Sequence, residues 1–323
     1  CNHPVAYLTA GLFEAHDRTQ FEIFAFSFGA DTQDDMRLRL EKTFDHFLDV
    51  KDLTDAQLIN RARECELDVA VDLTGLTKGC RPGVFAARVA PVQISYLGYP
   101  GTSAIPNMDY VLGDRTLFEA ADAMHYTEKF IRLPHSYQAN DPSRRPSERK
   151  FTRAELGLPE SGFVFCCFNN NYKINPVMFD CWMKILKSVP SSVLWLREAT
   201  EQTTHNLRAE AQARGVDGSR LVFASRIDSM ADHLARQRAA DLFIDALPYN
   251  AHTTASDALL AGVPVLTCKG RSYAGRVGAS LLNALNLGKL ITHDLNEYEQ
   301  VAVALAQDPA RISELRKDLQ EKL

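Results

Sequence analysis

Apolar residues follow two different spacings along this chain, and the two alternate. Alternating or continuous apolar runs predict strands at FEIFAFSF, LDVAVDL, PVQISYLG, DYVLGD and KFIRL. Helical spacing predicts helices at PVAYLTAGLFEAHD and DAQLINRARECE. Strands that take turns with helices are typical of parallel sheets with crossover helices, so we expect an α/β fold.

A polar segment from Tyr137 to Lys150, with two prolines and no apolar periodicity, interrupts this pattern. Strands are predicted again at GFVFCCF, SSVLWLR, RLVFAS, DLFIDAL and PVLTC, with helices between them. We predict two doubly wound, Rossmann-like domains, 1–140 and 151–323, which are joined by a linker at 141–150 and face each other across a cleft. The first strand of domain one and the end of the last helix are expected to be missing.

Composition narrows the class of protein. The 323 residues are 46% hydrophobic and 24% charged, which is enough for a folded core. A net charge of −5 argues against a nucleic-acid binder, and no apolar run or leader predicts a membrane span or a secretion signal. Seven irregularly spaced cysteines, without CxxC or zinc spacing, indicate buried reduced thiols, a cytoplasmic location and no metal.

The most informative segment is ALPYNAHTTASDALLAGVP, residues 246–264. His252, Thr253 and Thr254 stand between an apolar strand and an apolar helix, where free backbone N–H groups and the helix dipole attract phosphate. Asp257, one turn further, could bind sugar hydroxyls. The alternative is that a threonine merely caps the helix.

A second strand-to-helix turn, FNNNYKINP, spans residues 168–176. Ligands bind at the carboxyl ends of strands in open sheets, so Lys173 is a candidate for neutralising a leaving diphosphate. Asn170 could bind a phosphate or a sugar. The alternative is a solvated lysine in a turn whose asparagines serve the turn geometry.

Other candidates depend more on context. The backbone around Ala224, at the end of RLVFAS, could bind a base edge, and Arg226 follows it. His233 lies on the next helix, where a histidine is more often a surface or core residue. His3 stands just before the first predicted helix.

Several segments together resemble glycosyltransferase family 41, the protein O-GlcNAc transferases and their SPINDLY-like relatives. The matching pieces are NHPVAYL, DLTGLTKG, RVAPVQISYLGYPGTSAIPNMDYVLGD, FCCFNNNYKINP, SVLWL and DLFIDALPYNAHTTASDALLAGVPVLT. The resemblance implies a GT-B fold with the nucleotide mainly in the C-terminal domain. In that family Lys173 would contact the donor diphosphate, His252, Thr253 and Thr254 the phosphates, and Asp257 the ribose.

Further residues match the family one by one. His233 corresponds to a histidine near the phosphate and uracil, and Asn170 falls where some relatives have Gln. His3 matches a histidine on the acceptor side that is a proposed base, and Thr77 lies where the family touches donor sugar and acceptor. Arg226 stands near a donor-binding lysine of some members, with a longer spacing to His233. Leu76 replaces a common Tyr or His.

The resemblance implies an inverting transferase that moves GlcNAc from UDP-GlcNAc to Ser or Thr hydroxyls of a polypeptide. It implies no cofactor, and tetratricopeptide repeats upstream in the full-length protein. No D-x-D triplet occurs, which is consistent with metal independence. The open alternatives are GDP-fucose or UDP-glucose as donor, the latter with Asn as acceptor, and a degenerate peptide-binding scaffold. The absence of GxGxxG after any strand disfavours an oxidoreductase.

Overall fold

The structure is a computed structural model that describes residues 3–322. The chain divides between Arg144 and Arg145 into two compact units. The division falls inside the polar segment 137–150. Within residues 3–322, no helix is both long and apolar enough to cross a membrane.

The first unit contains two parallel sheets, one of two strands (β1 and β2) and one of four in the order β3-β4-β5-β6. Its strands are β1 Phe24–Ser27, β2 His46–Asp49, β3 Val69–Asp72, β4 Val92–Ser95, β5 Tyr110–Asp114 and β6 Lys129–Leu133. Its helices are α1 Pro4–Glu14, α2 Asp35–Thr43, α3 Asp55–Glu64 and α4 Pro82–Ala86.

Local chemistry explains where two of these helices begin. Pro4 opens α1 because its fixed φ suits the first helical position, and His3 caps the helix. Thr54 and Gln57 form a reciprocal capping box at the start of α3, so two backbone N–H groups of that helix end are satisfied.

The second unit is a doubly wound domain around one six-stranded parallel sheet in the order β12-β11-β10-β7-β8-β9. Its strands are β7 Val164–Cys167, β8 Val193–Arg197, β9 Leu221–Ala224, β10 Leu242–Ile244, β11 Val265–Cys268 and β12 Ile291–Thr292. Its helices are α5 Pro176–Ser188, α6 Glu201–Ala213, α7 Met230–Arg236, α8 Thr253–Leu260, α9 Val277–Ala284, α10 Leu295–Gln307 and α11 Pro309–Lys322.

The direction of winding reverses between β7 and β10. From β7 the chain adds β8 and β9 on one side, and β10 then pairs with the other side of β7. Open α/β sheets bind ligands beyond the carboxyl ends of the strands at such a switch point. The core beneath it is apolar, with Phe165, Trp195 and Phe243 fully buried.

The described cysteines, residues 65, 80, 166, 167, 181 and 268, are free thiols. Four of these six are buried, and burial raises the pKa of Cys167 to about 12. Such thiols stay protonated and inert at neutral pH.

Candidate functional site

The loop after β10, residues 245–252, is folded around a buried carboxylate. Asp245 accepts hydrogen bonds from the N–H groups of Ala246 at 2.7 Å and Ala251 at 2.6 Å. Its second oxygen accepts the hydroxyl of Thr267 at 2.7 Å. The carboxylate therefore ties the two ends of the loop together, since Ala246 opens it and Ala251 nearly closes it.

Asn250, also in this loop, is fully buried and uses both its side chain and its backbone. Its amide group donates to the Ala246 carbonyl at 2.8 Å, and its side-chain oxygen accepts the Gly278 N–H at 3.3 Å. Its backbone N–H donates to the Ala274 carbonyl at 2.9 Å. Buried polar groups with partners rigidify a site, so the loop presents α8 in one fixed orientation.

Helix α8 begins directly after this loop. The N–H groups of Thr253 and Thr254 come too early in the helix to reach a carbonyl four residues back. His252 occupies the cap position, and within the described chain its side chain makes no cap hydrogen bond. The helix therefore offers backbone donors at the positive end of its dipole, an arrangement that attracts anions.

The His252 ring lies against Tyr249, with ring centroids 4.8 Å apart, and its Nε2 is 3.3 Å from the Ala274 carbonyl. Burial and the nearby charge of Lys173 lower the pKa of His252 to about 3. The imidazole is thus neutral at pH 7. Because a carbonyl only accepts, the hydrogen sits on Nε2, and Nδ1 carries the lone pair.

Lys173, in the loop after β7, reaches the same place. Its ammonium donates to the Asn250 carbonyl at 2.7 Å and lies 4.0 Å from the centroid of the Tyr249 ring. Burial lowers the pKa of Lys173 to about 8, while the charge of Asp245 opposes this shift. The side chain is cationic below that pH and uses one of its three donors on the loop.

Asn169 links the two loops. Its side-chain oxygen accepts the hydroxyl of Thr254 at 2.8 Å, and its amide contacts the sulfur of Cys167 at 3.6 Å. Asp257 is buried in the next turn of α8. The structure therefore places Lys173 beside the start of α8, which carries His252, Thr253 and Thr254 and, one turn further, Asp257.

His233 lies on α7 beside the end of β9. Its Nδ1 is 2.8 Å from Nη2 of Arg236, and its ring is 6.0 Å from that of Phe168. A guanidinium stays charged and can only donate, so His233 accepts at Nδ1 and carries its hydrogen on Nε2. Arg236 also donates to the Ser225 carbonyl, which fixes the strand end next to the buried Ala224.

Two predicted residues of this unit are not part of the cluster. Arg226 is paired with Asp228 at 3.0 Å and its side chain is 81% exposed, so the structure gives it no contact with the groups above. Asn170 is exposed; its side-chain oxygen accepts from Arg197 and its amide lies 3.4 Å from the Tyr172 hydroxyl.

The remaining predicted residues lie in the first unit. Nδ1 of His3 accepts the Val5 N–H at 3.3 Å. A neutral imidazole has one ring nitrogen with a free lone pair, so His3 can take up a proton only if this contact opens. Burial also lowers its pKa. Thr77 is exposed and its hydroxyl donates to the Thr74 carbonyl at 2.8 Å, while the neighbouring Leu76 is 45% exposed.

The sequence pattern does not single out the residues that hold the site in shape, which are Asp245, Asn250, Asn169, Tyr249 and Arg236. The available signal is position, since Asp245 and Asn169 stand within two residues of a strand end. In the described residues, no group of three His, Cys, Asp or Glu side chains could hold a metal ion.

Comparison with known proteins decides the family. A profile described as glycosyl transferase family 41 matches residues 1–145 and 144–322. The chain belongs to this family. The resemblance inferred from the sequence motifs is therefore confirmed.

Individual relatives of this family-41 chain agree with that assignment. It is 35% identical over 324 residues to the Arabidopsis thaliana protein named probable UDP-N-acetylglucosamine–peptide N-acetylglucosaminyltransferase SEC, covering 98% of this chain and 33% of that protein. It is 26% identical to the Caenorhabditis elegans UDP-N-acetylglucosamine–peptide N-acetylglucosaminyltransferase, covering 98% of this chain and 37% of that protein. The chain thus spans about a third of the length of these curated relatives.

A solved structure supports the fold. The chain matches a mutant of the Thermobaculum terrenum O-GlcNAc transferase with a TM-score of 0.91 and 35% identity, covering 100% of this chain and 61% of that one. The predicted α/β fold of the GT-B class is confirmed.

Proposed function

We propose that this chain is the catalytic region of an inverting, metal-independent transferase that moves GlcNAc from UDP-GlcNAc to Ser or Thr hydroxyls of a polypeptide. The observation that carries the proposal is that the Lys173 ammonium lies beside the start of α8. There it donates to the carbonyl of Asn250, two residues before the cap residue His252. The two relatives above support it, since both are named as UDP-N-acetylglucosamine–peptide N-acetylglucosaminyltransferases.

The site chemistry suits a leaving diphosphate. As the acceptor oxygen attacks the anomeric carbon, the bond from that carbon to the phosphate oxygen breaks, and negative charge grows on UDP. The cationic Lys173 and the backbone donors of Thr253 and Thr254 are already oriented by buried contacts, so they stabilise this charge without reorganising. In this role they supply the positive charge that a metal ion supplies in other transferases.

The remaining residues fit the rest of the donor. We propose that Asp257 binds ribose hydroxyls, that the backbone at Ala224 binds the uracil edge, and that Nε2–H of His233 donates to the nucleotide. The hydroxyl proton of the acceptor must leave during the attack, and His3 stays a predicted base whose cap contact to Val5 would first have to open. A cytoplasmic location also stays a prediction.

Calorimetry and an assay of UDP release test the proposal. We expect the chain to bind UDP and not GDP, and to release UDP from UDP-GlcNAc when a Ser- and Thr-containing peptide is present. If GDP binds more tightly than UDP, the donor is a GDP-sugar and not UDP-GlcNAc. Binding of UDP without release in the presence of any peptide or cell lysate would indicate a scaffold and contradict the catalytic proposal.

The rate should depend on pH through Lys173. Because burial lowers its pKa to about 8, the cationic form is present below that pH and is lost above it. We expect kcat/KM for the donor to fall about tenfold per pH unit above this value, since kcat/KM reports the free enzyme. UDP release measured from pH 6 to 10 checks this, and a kcat/KM that stays constant across this range contradicts it.

A further inference from the structure

One peptide group in the site is held between opposite charges. The carbonyl of Asn250 accepts from the Lys173 ammonium at 2.7 Å, and the N–H of the same peptide unit, that of Ala251, donates to the Asp245 carboxylate at 2.6 Å. The peptide dipole therefore points its negative end at the cation and its positive end at the anion. This peptide comes directly before His252, the cap of α8.

The anion in this arrangement is a buried side chain that is held by hydrogen bonds. Asp245 is buried at the end of β10, and its oxygens accept three hydrogen bonds, from Ala246, Ala251 and Thr267. Burial raises the pKa of Asp245 to about 6, whereas these hydrogen bonds and the charge of Lys173 oppose the rise. The carboxylate is therefore ionised at neutral pH while Lys173 is still protonated.

Other titratable groups near the ammonium come from the neighbouring elements. Cys167 ends β7, and burial keeps its thiol neutral with a pKa of about 12. His252 caps α8 and is neutral at pH 7 because its pKa is about 3. Asp245 is thus the charged group that faces the ammonium among these three.

We propose that Asp245 is a positioning residue of this transferase, which acts through the 250–251 peptide to orient the start of α8 and to keep Lys173 protonated. Asp245 does not touch the donor in this arrangement, because its oxygens are used by the loop and by Thr267. The inference rests on the proposed function, in which Lys173 and α8 bind the diphosphate.

Two variants separate the charge of Asp245 from its hydrogen bonds. In Asp245→Asn, the amide oxygen can still accept from Ala246 and Ala251, and the amide group can donate to the Thr267 oxygen, so the geometry is preserved and the charge is removed. In Thr267→Val, a matched control of similar shape, the charge is preserved and one hydrogen bond is removed. A purely structural role would leave Asp245→Asn like the parent protein and would perturb Thr267→Val.

The readout is the titration of Lys173 itself. In ligand-free protein with 13C at the lysine ε-carbons, the Lys173 resonance is assigned as the one that is absent from Lys173→Met. We expect a midpoint near pH 8 in the parent protein. The midpoint should fall by on the order of one pH unit, a tenfold loss of proton affinity, in Asp245→Asn, and should stay unchanged in Thr267→Val. The alkaline limb of kcat/KM should move in the same direction.

The parent protein supplies a test that needs no variant. Its Lys173 resonance should show a second, smaller inflection near pH 6 as Asp245 ionises. Absence of this inflection, or an Asp245→Asn midpoint no lower than that of the parent protein, overturns the proposal. The titration requires no turnover, so a parent protein that shows the coupling but releases no UDP contradicts the proposed function and leaves the pairing of Asp245 with Lys173 intact.

Discussion

Replacing Lys173 by Met is expected to lower kcat by roughly 10²–10³-fold, the usual cost of removing one preorganised donor at a developing charge. Methionine has a similar length and is apolar, so it fills the buried space and removes the cation. The loss should appear in kcat more than in KM, because the charge on the departing phosphate is largest in the transition state. Single-turnover UDP release measures this directly.

A surface lysine of the same unit provides the control. Lys187 is exposed near the end of α5, so Lys187→Met changes the net charge equally and should leave turnover unaltered. Turnover of Lys173→Met within a few-fold of the parent protein would remove this lysine from the proposed mechanism.

The sequence predicted the two loops of the site because each has a local pattern. An apolar strand, a polar turn and an apolar helix follow one another at both places, so Lys173 and Thr253 could be assigned to strand ends without knowledge of the fold. Parallel pairing of β7 with β10 then brings the two loops together. Local periodicity does not show which strands pair. The proximity of the two loops is therefore known from the structure and implied by the family resemblance, and not by the periodicity.

The two arginines near β9 show what sequence position alone leaves undecided. Arg226 stands two residues after the end of β9, and its side chain is 81% exposed and paired with Asp228, so its contact with the donor stays a prediction. Arg236, ten positions later, is buried because α7 turns back and places it against Ser225 and His233. Burial of a charge depends on a tertiary partner, which sequence position alone does not supply.

Elements with few apolar residues were also missed. Helix α2 and strand β2 in the first unit were not among the predicted elements, because DMRLRLEKT and HFLD offer little apolar periodicity. Arg37 is nevertheless buried there, with Glu41 and Asp49 as ion-pair partners. At the site the reason is different: Asp245 stands in an apolar run, and only the fold shows that its partner is Thr267 on the neighbouring strand β11.

Adding one methyl group at Gly278 is expected to lower the free energy of unfolding by about 1–3 kcal/mol, the usual effect of overpacking a tight core. A Cβ there would lie 2.5 Å from the Thr267 hydroxyl oxygen and 2.7 Å from an Asp245 carboxylate oxygen. Those two atoms are hydrogen-bonded to each other at 2.7 Å, so Gly278→Ala would push apart the contact that anchors the loop before α8. Thermal unfolding and UDP calorimetry should both report the change, as a lower Tm and weaker binding.

The sign of this effect is informative, because helix propensity alone predicts the opposite. Ala is favoured over Gly inside a helix by up to about 1 kcal/mol, and Gly278 lies in α9. Gly288→Ala is the control, since an added Cβ there would meet only the Asn283 side chain, at 3.9 Å. A raised Tm in Gly278→Ala with unchanged UDP affinity would mean that the contact between Asp245 and Thr267 tolerates displacement, and that the loop holds α8 in place without it.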